Sequence, residues 1–165
     1  MKWRMLFIPD GPYGDRARGK MYEPYLKAYG NNFKVGAQAF IFNPNGLSVG
    51  DNVYIGFNSY LGQGEVELAS EVLIGNFVSI TATNHLIKGD SFRFGGFSPS
   101  KIKIGYGTWI GAQSSIVAGV EIGSSCLVAS GSVVTQNVND GIVVGGVPAK
   151  QISTVKKFKE KYNVE

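Results

Sequence analysis

The stretch IGYGTWIGAQSSIVAGVEIGSSCLVASGSVVTQNVNDGIVVGGVPAKQI, residues 104–152, places an aliphatic residue at every sixth position: Ile104, Ile110, Ile116, Ile122, Val128 and Val134. A small residue often follows, as in Ile104-Gly105, Ile110-Gly111, Ile122-Gly123 and Val128-Ala129. Four positions after each aliphatic comes a compact or β-branched residue: Thr108, Ser114, Val120, Cys126, Ser132 and Val138. A helix of 3.6 residues per turn would scatter such a set around its axis, so a period of six is not helical. Short strands joined by tight corners do explain it. The first and fifth residues then point inward, and the small second residue accommodates the turn.

Upstream, the same phase appears at Val49-Gly50, Ile55-Gly56 and Leu61-Gly62, slips by one residue, and resumes at Leu68-Ala69, Ile74-Gly75 and Ile80-Thr81. Val35-Gly36 and Ile41 read as two weaker hexads. Three hexads close one triangular coil, so the twelve clear ones predict four coils, a prism roughly 20 Å tall at the usual spacing of about 4.8 Å. Solenoid ends need capping, which residues 1–34 and the segment from about 150 onward are placed to supply. The expected organisation is therefore a capping segment over 1–34, a β-solenoid over 35–149 and a basic helical tail over 150–165. Within the cap, Glu23 to Tyr29 reads as a short helix, with Leu26 and Tyr29 against the prism. Trp3, Met5, Phe7 and Ile8 alternate like a strand.

Composition agrees with one well-cored domain: 165 residues, 44% hydrophobic and 17% charged. The 23 glycines carry no G-X-Y period, which excludes collagen. A single cysteine makes no internal disulfide, and no apolar run reaches the ~20 residues of a membrane span. Met1 to Asp10 lacks the order of a secretory leader, so the expected setting is cytoplasmic, free or peripheral at the inner membrane surface. The net charge of +4 is concentrated in residues 150–165, where five lysines face two glutamates. Between Gly105 and Ala149 there is no basic residue, so the main surface lacks the stripe a nucleic-acid binder needs. The tail reads as a solvated helix with Val155, Phe158 and Tyr162 on its buried side.

Residues 86–103 contain no usable hexad, yet Ile80 and Ile104 lie 24 residues apart, a multiple of six. They read as a loop extruded from the prism that rejoins it in phase. Gly89, Gly95, Gly96 and Pro99 punctuate it, and Phe92, Phe94 and Phe97 suit packing against the loop's own underside, a neighbouring subunit or, as part of a lid, a ligand. His85, the only histidine, stands just before the loop at a sixth position, which faces outward. Cys126 occupies a fifth position, facing inward, where a small apolar side chain is wanted.

The stretch 104–152 resembles the C-terminal signature of the hexapeptide-repeat acyltransferases, specifically the maltose, galactoside and polysaccharide O-acetyltransferase branch. The resemblance extends over about Val35 to Ile152. It implies an all-β fold, a left-handed parallel β-helix with an extruded loop at about 86–103 and a short C-terminal helix, against the usual right-handed crossover. It also implies a homotrimer with acetyl-coenzyme A bound between neighbouring prisms and active sites at the subunit interfaces. Thr83-Asn84-His85 falls where the family places its catalytic histidine. An imidazole with pKa near 6.5 can take the proton of an acceptor hydroxyl and return it to the leaving thiolate, with no acyl-enzyme. Asn84, Asp90 and Phe92 are the implied acceptor-side residues. Asp90, Glu65 and Glu67 are candidates to orient His85.

For coenzyme A the family pattern maps onto Trp109, Ala112, Ser130, Thr135, Pro148 and Lys150. Gln136 stands where the family often carries lysine, so the phosphate attraction falls to Lys150, with Lys101 and Lys103 as further candidates. The implied activity is transfer of acetyl to a sugar hydroxyl of a cell-surface glycan or its precursor. The short N-terminal segment differs from the long helical region of the free-sugar enzymes, which favours a polysaccharide or glycolipid precursor. N-acetylation of an amino-sugar nucleotide stays open, as does a non-catalytic binding module. A γ-type carbonic anhydrase, which shares the fold, would need three histidines for its metal, and there is one. No metal, nucleic acid or stable membrane insertion is expected.

Overall fold

The computed structural model describes residues 7–163. Three parallel sheets form the faces of a prism. Sheet I stacks Ala28–Tyr29, Leu47–Val49, Val66–Leu68, Ile102–Ile104 and Glu121–Ile122. Sheet II stacks Lys34–Val35, Tyr54–Ile55, Leu73–Ile74, Trp109–Ile110, Leu127–Val128 and Ile142–Gly146, and sheet III stacks Phe40–Ile41, Tyr60–Leu61, Ser79–Ile80, Ser115–Ile116 and Val133–Val134. The fold is a left-handed parallel β-helix. Equivalent hexad positions lie in register, as in Ile55 with Ile74, Ile74 with Ile110 and Ile110 with Val128.

The first-and-fifth rule holds residue by residue. Ile104, Ile110, Ile116, Ile122, Val128 and Val134 are all buried, and so are Thr108, Ser114, Val120, Cys126, Ser132 and Val138. Inward hydroxyls bridge successive coils. Thr108 Oγ1 donates to Gly123 O at 2.7 Å and accepts from Cys126 N at 3.0 Å. Ser59 Oγ likewise donates to Gly75 O and accepts from Val78 N.

The small second position has a different origin from the one expected. A Cβ on Gly105 would lie 2.6 Å from the carbonyl carbon of Gly123, so the constraint there is close stacking of one coil on the next. The turn itself is made two residues later, where Gln38, Asn58, Glu71, Phe77, Gln113 and Ser125 have positive φ.

Four expectations change. The prism has five complete coils plus a partial sixth. Ala28–Tyr29 is a full rung, but both its side chains are exposed, so no buried aliphatic announced it. The helix expected over 23–29 lies earlier: α1 spans Pro12–Tyr22, followed by a 3₁₀ turn, Glu23–Tyr25. Proline at the start of α1 favours that boundary. Tyr22 and Phe33 plug the lower end, and Arg18, only 3% exposed, donates to Val35 O and Ile8 O and pairs with Asp15. Trp3 and Met5 lie outside the described residues, while Phe7 and Ile8 form a turn and bend.

The loop is shorter and more regular than 86–103. Thr83–His85 pairs antiparallel with Phe97–Pro99, making a hairpin, and Ile102–Ile104 already belongs to sheet I. Lys101 and Lys103 alternate with buried Ile102 and Ile104, which hid this strand from a search for small residues. Finally, the tail begins as a strand. Ala149–Thr154 runs antiparallel to Ile142–Gly146, and only then does α2, Val155–Tyr162, start, capped by Thr154 Oγ1 accepting from Lys157 N. No residue of α2 is buried, so Val155, Phe158 and Tyr162 do not form the buried side expected of them.

Candidate active site

Three edges join the sheets, and each carries a different chemistry. The edge from sheet I to sheet II is a polar ladder: Asp51 Oδ1 accepts from Asn31 N at 2.6 Å, and Asp140 Oδ1 accepts from Ser124 N at 2.7 Å. The edge from sheet III back to sheet I carries the hairpin. Its feet are stitched into the prism by Ala82 N donating to Gln63 O, Ser100 N to Ala82 O and Gly119 N to Ser100 O. His85 stands one step above those feet, opposite Phe97 and exposed to solvent, as its sixth position required.

The hairpin does not gather all the acceptor-side residues around His85. Asn84 is adjacent to His85 in one strand, so the two side chains emerge on opposite faces of the hairpin. Asp90 and Phe92 lie at its outer end, in and beside the turn closed by Lys88 and Ser91. Leu86, Ile87, Phe92, Phe94 and Phe97 are all exposed on the hairpin, leaving it apolar within a single chain.

Two of the groups considered for orienting His85 are otherwise engaged. Glu65 pairs with Lys27 at 3.0 Å, and Glu67 with Lys101 at 2.5 Å. The hydrogen bond from Lys101 holds the Glu67 carboxyl below its ordinary value. Lys103 pairs with Glu121 at 2.7 Å. Lys101 and Lys103 thus each hold an exposed ion pair beside sheet I, and Lys150 lies apart in the strand antiparallel to Ile142–Gly146.

The residues expected on the coenzyme side divide among three places. Ala112 and Ser130 sit on the edge between sheets II and III, one coil apart, where Gly131 N donates to Ala112 O at 2.8 Å. The same edge ends above in the Gly146–Ala149 turn, which carries Pro148. Lys150 lines a cavity of about 150 Å³ together with Gln136 and Asn137. Thr135 is on the hairpin's edge, two coils above the point where the hairpin leaves. Trp109 lies elsewhere again, in a recess of about 310 Å³ under α2 with Leu127, Val155 and Phe158.

Cys126 points inward as expected. Its thiol donates to Asn139 O at 3.0 Å, and burial pushes its pKa up. It is no candidate nucleophile. Among the described residues no group of three His, Cys, Asp or Glu side chains could hold a metal ion, and no helix is long and apolar enough to cross a membrane.

One feature escaped the sequence reading. On the edge between sheets II and III, one coil below Gln113, Phe77 is half exposed and packs edge-on against Phe57, with ring centroids 5.4 Å apart. The available signal was the fourth hexad position, which elsewhere on this edge is Gln38, Asn58, Gln113 or Gly131.

Comparisons with known proteins match the repeat. The family model for bacterial transferase hexapeptide (six repeats) matches residues 101–136, and that for the hexapeptide repeat of succinyl-transferase matches 46–82. The galactoside O-acetyltransferase of Escherichia coli K12 is 30% identical over 135 residues, covering 78% of this chain, which spans 66% of that enzyme's length. A solved galactoside acetyltransferase in complex with coenzyme A superposes with a TM-score of 0.82 at 25% identity, over 96% of this chain and 80% of the other. A 2,3,4,5-tetrahydropyridine-2,6-dicarboxylate N-acetyltransferase of Clostridium perfringens strain SM101 is 48% identical, but over 56 residues only, 33% of this chain and 24% of that one.

Proposed function

The chain belongs to the hexapeptide-repeat acetyltransferases, and from that premise we propose that it transfers acetyl from acetyl-coenzyme A to a sugar hydroxyl of a cell-surface glycan or its precursor, with His85 as general base. The observation that carries this reading is the position of His85: the chain's one imidazole, solvent-exposed at the root of a hairpin that leaves the prism.

In this reaction the imidazole takes the acceptor's O–H proton as the oxygen attacks the thioester carbonyl. The tetrahedral intermediate collapses, the C–S bond breaks, and the imidazolium returns its proton to the coenzyme A thiolate. Products are the acetyl ester and free coenzyme A, so the proton count closes without an acyl-enzyme. Buried Cys126 takes no part.

Within one chain, Ala112 and Ser130 lie on the edge opposite the hairpin across sheet III. A site uniting them with His85 therefore needs a second copy, which supports a ring of three with the cofactor between prisms. Lys150, beside Gln136, supplies the point charge for a coenzyme phosphate. The acceptor meets the hairpin.

N-acetylation is the second reading. The tetrahydropyridine-dicarboxylate N-acetyltransferase likeness favours it, and the same imidazole would serve an amine acceptor. An acceptor screen with acetyl-coenzyme A separates the two: hydroxyl sugars should accept acetyl and amino-sugar nucleotides should not. His85→Ala should keep the fold while turnover falls roughly 10²–10⁴-fold. Turnover near that of the wild type in His85→Ala would remove the histidine from the mechanism. Acetylation confined to amines would replace this reading with the second.

A further inference from the structure

Phe77 is the bulkiest residue at any positive-φ corner, with φ of 58°. A left-handed backbone is uncommon for a large side chain and costs stability that asparagine or glycine would largely avoid. Its ring nonetheless stays half in solvent, propped against Phe57. Neither core packing nor corner geometry accounts for an aromatic there.

Its height along the prism does. Each coil adds about 4.8 Å, so a residue's coil number fixes its level. Along one edge, Phe77 lies in the third coil, Ala112 in the fourth, Ser130 in the fifth, and the Pro148 turn in the sixth. Backbone contacts keep the stack in line, with Phe77 N donating to Phe57 O and Gln113 N to Asn76 O, both at 2.9 Å. A pantetheine arm descending from Lys150 past Ser130 and Ala112 brings its thioester to the level of Phe77, three coils or about 14 Å below.

His85 leaves the prism from this same third coil, at the far end of the strand Ser79–Ile80 that Phe77 precedes. Five residues separate Phe77 from Thr83, so a single chain holds the ring and the imidazole apart across sheet III. In a closed ring with prism axes parallel to the symmetry axis, equal coils face each other. Phe77 of one copy is then level with His85 of the next.

We propose that Phe77, seated on Phe57, is an acceptor-specificity residue: its exposed ring stacks against the apolar face of a pyranose while His85 of an adjacent copy takes the hydroxyl proton. The proposal rests on the acetyltransferase reading above. C–H bonds on one face of a pyranose suit an aromatic ring, and the strained corner is retained because it holds that ring at the reacting level.

The test uses the full-length protein, acetyl-coenzyme A, and methyl galactopyranoside and methyl glucopyranoside as acceptors. Phe77→Asn should raise thermal stability by relieving the left-handed strain, yet raise acceptor KM roughly 3–10-fold with coenzyme A affinity unchanged. Phe77→Tyr keeps a ring and should restore KM to near the wild-type value. Unchanged acceptor KM in Phe77→Asn, with His85→Ala inactive, would overturn this inference and leave the acetyltransferase reading standing. If neither pyranoside accepts acetyl from the wild type, while the acceptor that does is transferred to equally well by Phe77→Asn, this inference falls and the acetyltransferase reading stands.

Mixing the variants tests the shared site. Co-refolding His85→Ala with Phe77→Asn in equal amounts, at acceptor below KM, re-creates complete sites at about a quarter of the interfaces of a ring. The mixture should then exceed the mean rate of the two separate variants. A rate equal to that mean would place Phe77 and His85 in one chain's site, or in none, and overturn the inference.

Discussion

Replacing Thr108 with valine keeps the side chain's volume and removes one hydroxyl. Thr108 is fully buried, and that hydroxyl is the partner of the buried Cys126 N–H at 3.0 Å as well as a donor to Gly123 O at 2.7 Å. In the variant the amide would keep its desolvation and lose its acceptor, at a cost of about 1–3 kcal/mol. The Gly123 carbonyl is only partly buried, so water can replace the lost donor there. The added methyl gains back up to about 0.8 kcal/mol of apolar burial, and the shape match leaves no cavity. The net expectation is a loss of about 1–2 kcal/mol, or a Tm lower by roughly 2–8 °C for a chain of this length. Thr108→Ser, which keeps the hydroxyl and loses a methyl, separates the hydrogen bond from packing. Urea unfolding at fixed protein concentration measures both, since association would otherwise shift the midpoint. If Thr108→Val proved as stable as the wild type while Thr108→Ser was the weaker, the fifth position would be a matter of size alone, and the coil-bridging role of inward hydroxyls would be refuted.

Three further outcomes follow from the same geometry. Glu67 should titrate below the ordinary carboxylate range and move back up in Lys101→Met, read by carbon NMR; because its folded pKa is depressed, any stability it adds is present above the unfolded pKa and fades as pH falls through the folded one, and its exposure keeps that contribution small. Cys126 should alkylate at pH 8 on the order of 100-fold slower in the native protein than in urea, since burial raises its thiol pKa; equal rates would place the sulfur at the surface. Replacing residues 88–94 with a Gly-Ser turn keeps the His85–Phe97 ladder and should raise acceptor KM while leaving coenzyme A affinity unchanged, and untouched acceptor kinetics would take the hairpin out of the pocket.

The core was legible because one chemical rule, an aliphatic at every sixth position with a compact residue four further on, states directly which side chains point inward. Cys126 and Thr108 could be placed before any coordinates. The lowest rung was not, because Ala28 and Tyr29 face solvent and the interior beneath them is filled by Tyr22 and Phe33 from the cap. The candidate site was only half legible. A repeat gives each residue a coil and a position within it, which was enough to turn His85 outward. It does not say that Trp109 would be roofed by α2 while Ala112 and Ser130 stay on an open edge, because α2 reaches sheet II through an antiparallel strand that carries no period.

The departures from the period carry the most functional information. Ile41 to Val49 is eight residues, Leu61 to Leu68 is seven, and Ile80 to Ile104 is 24, whereas the other steps between successive inward aliphatics from Val35 to Val134 are six. All three irregular steps turn the same corner, from sheet III to sheet I: the 3₁₀ turn Pro44–Gly46, the extra residue before Val66, and the hairpin. The other two corners of these coils have no such freedom, since a Cβ on Gly50 or Gly56 would come within 2.5 Å of the next coil's backbone. Insertions are therefore tolerated on one edge only, and each emerges at a height fixed by its coil. Rejoining in phase was not what made the hairpin possible: Ser100 N meets Ala82 O directly, so the excursion closes at its feet whatever its length. A fold of this kind can vary the side chains exposed on that edge, at the level of His85, without disturbing the stacked small residues of the other two edges.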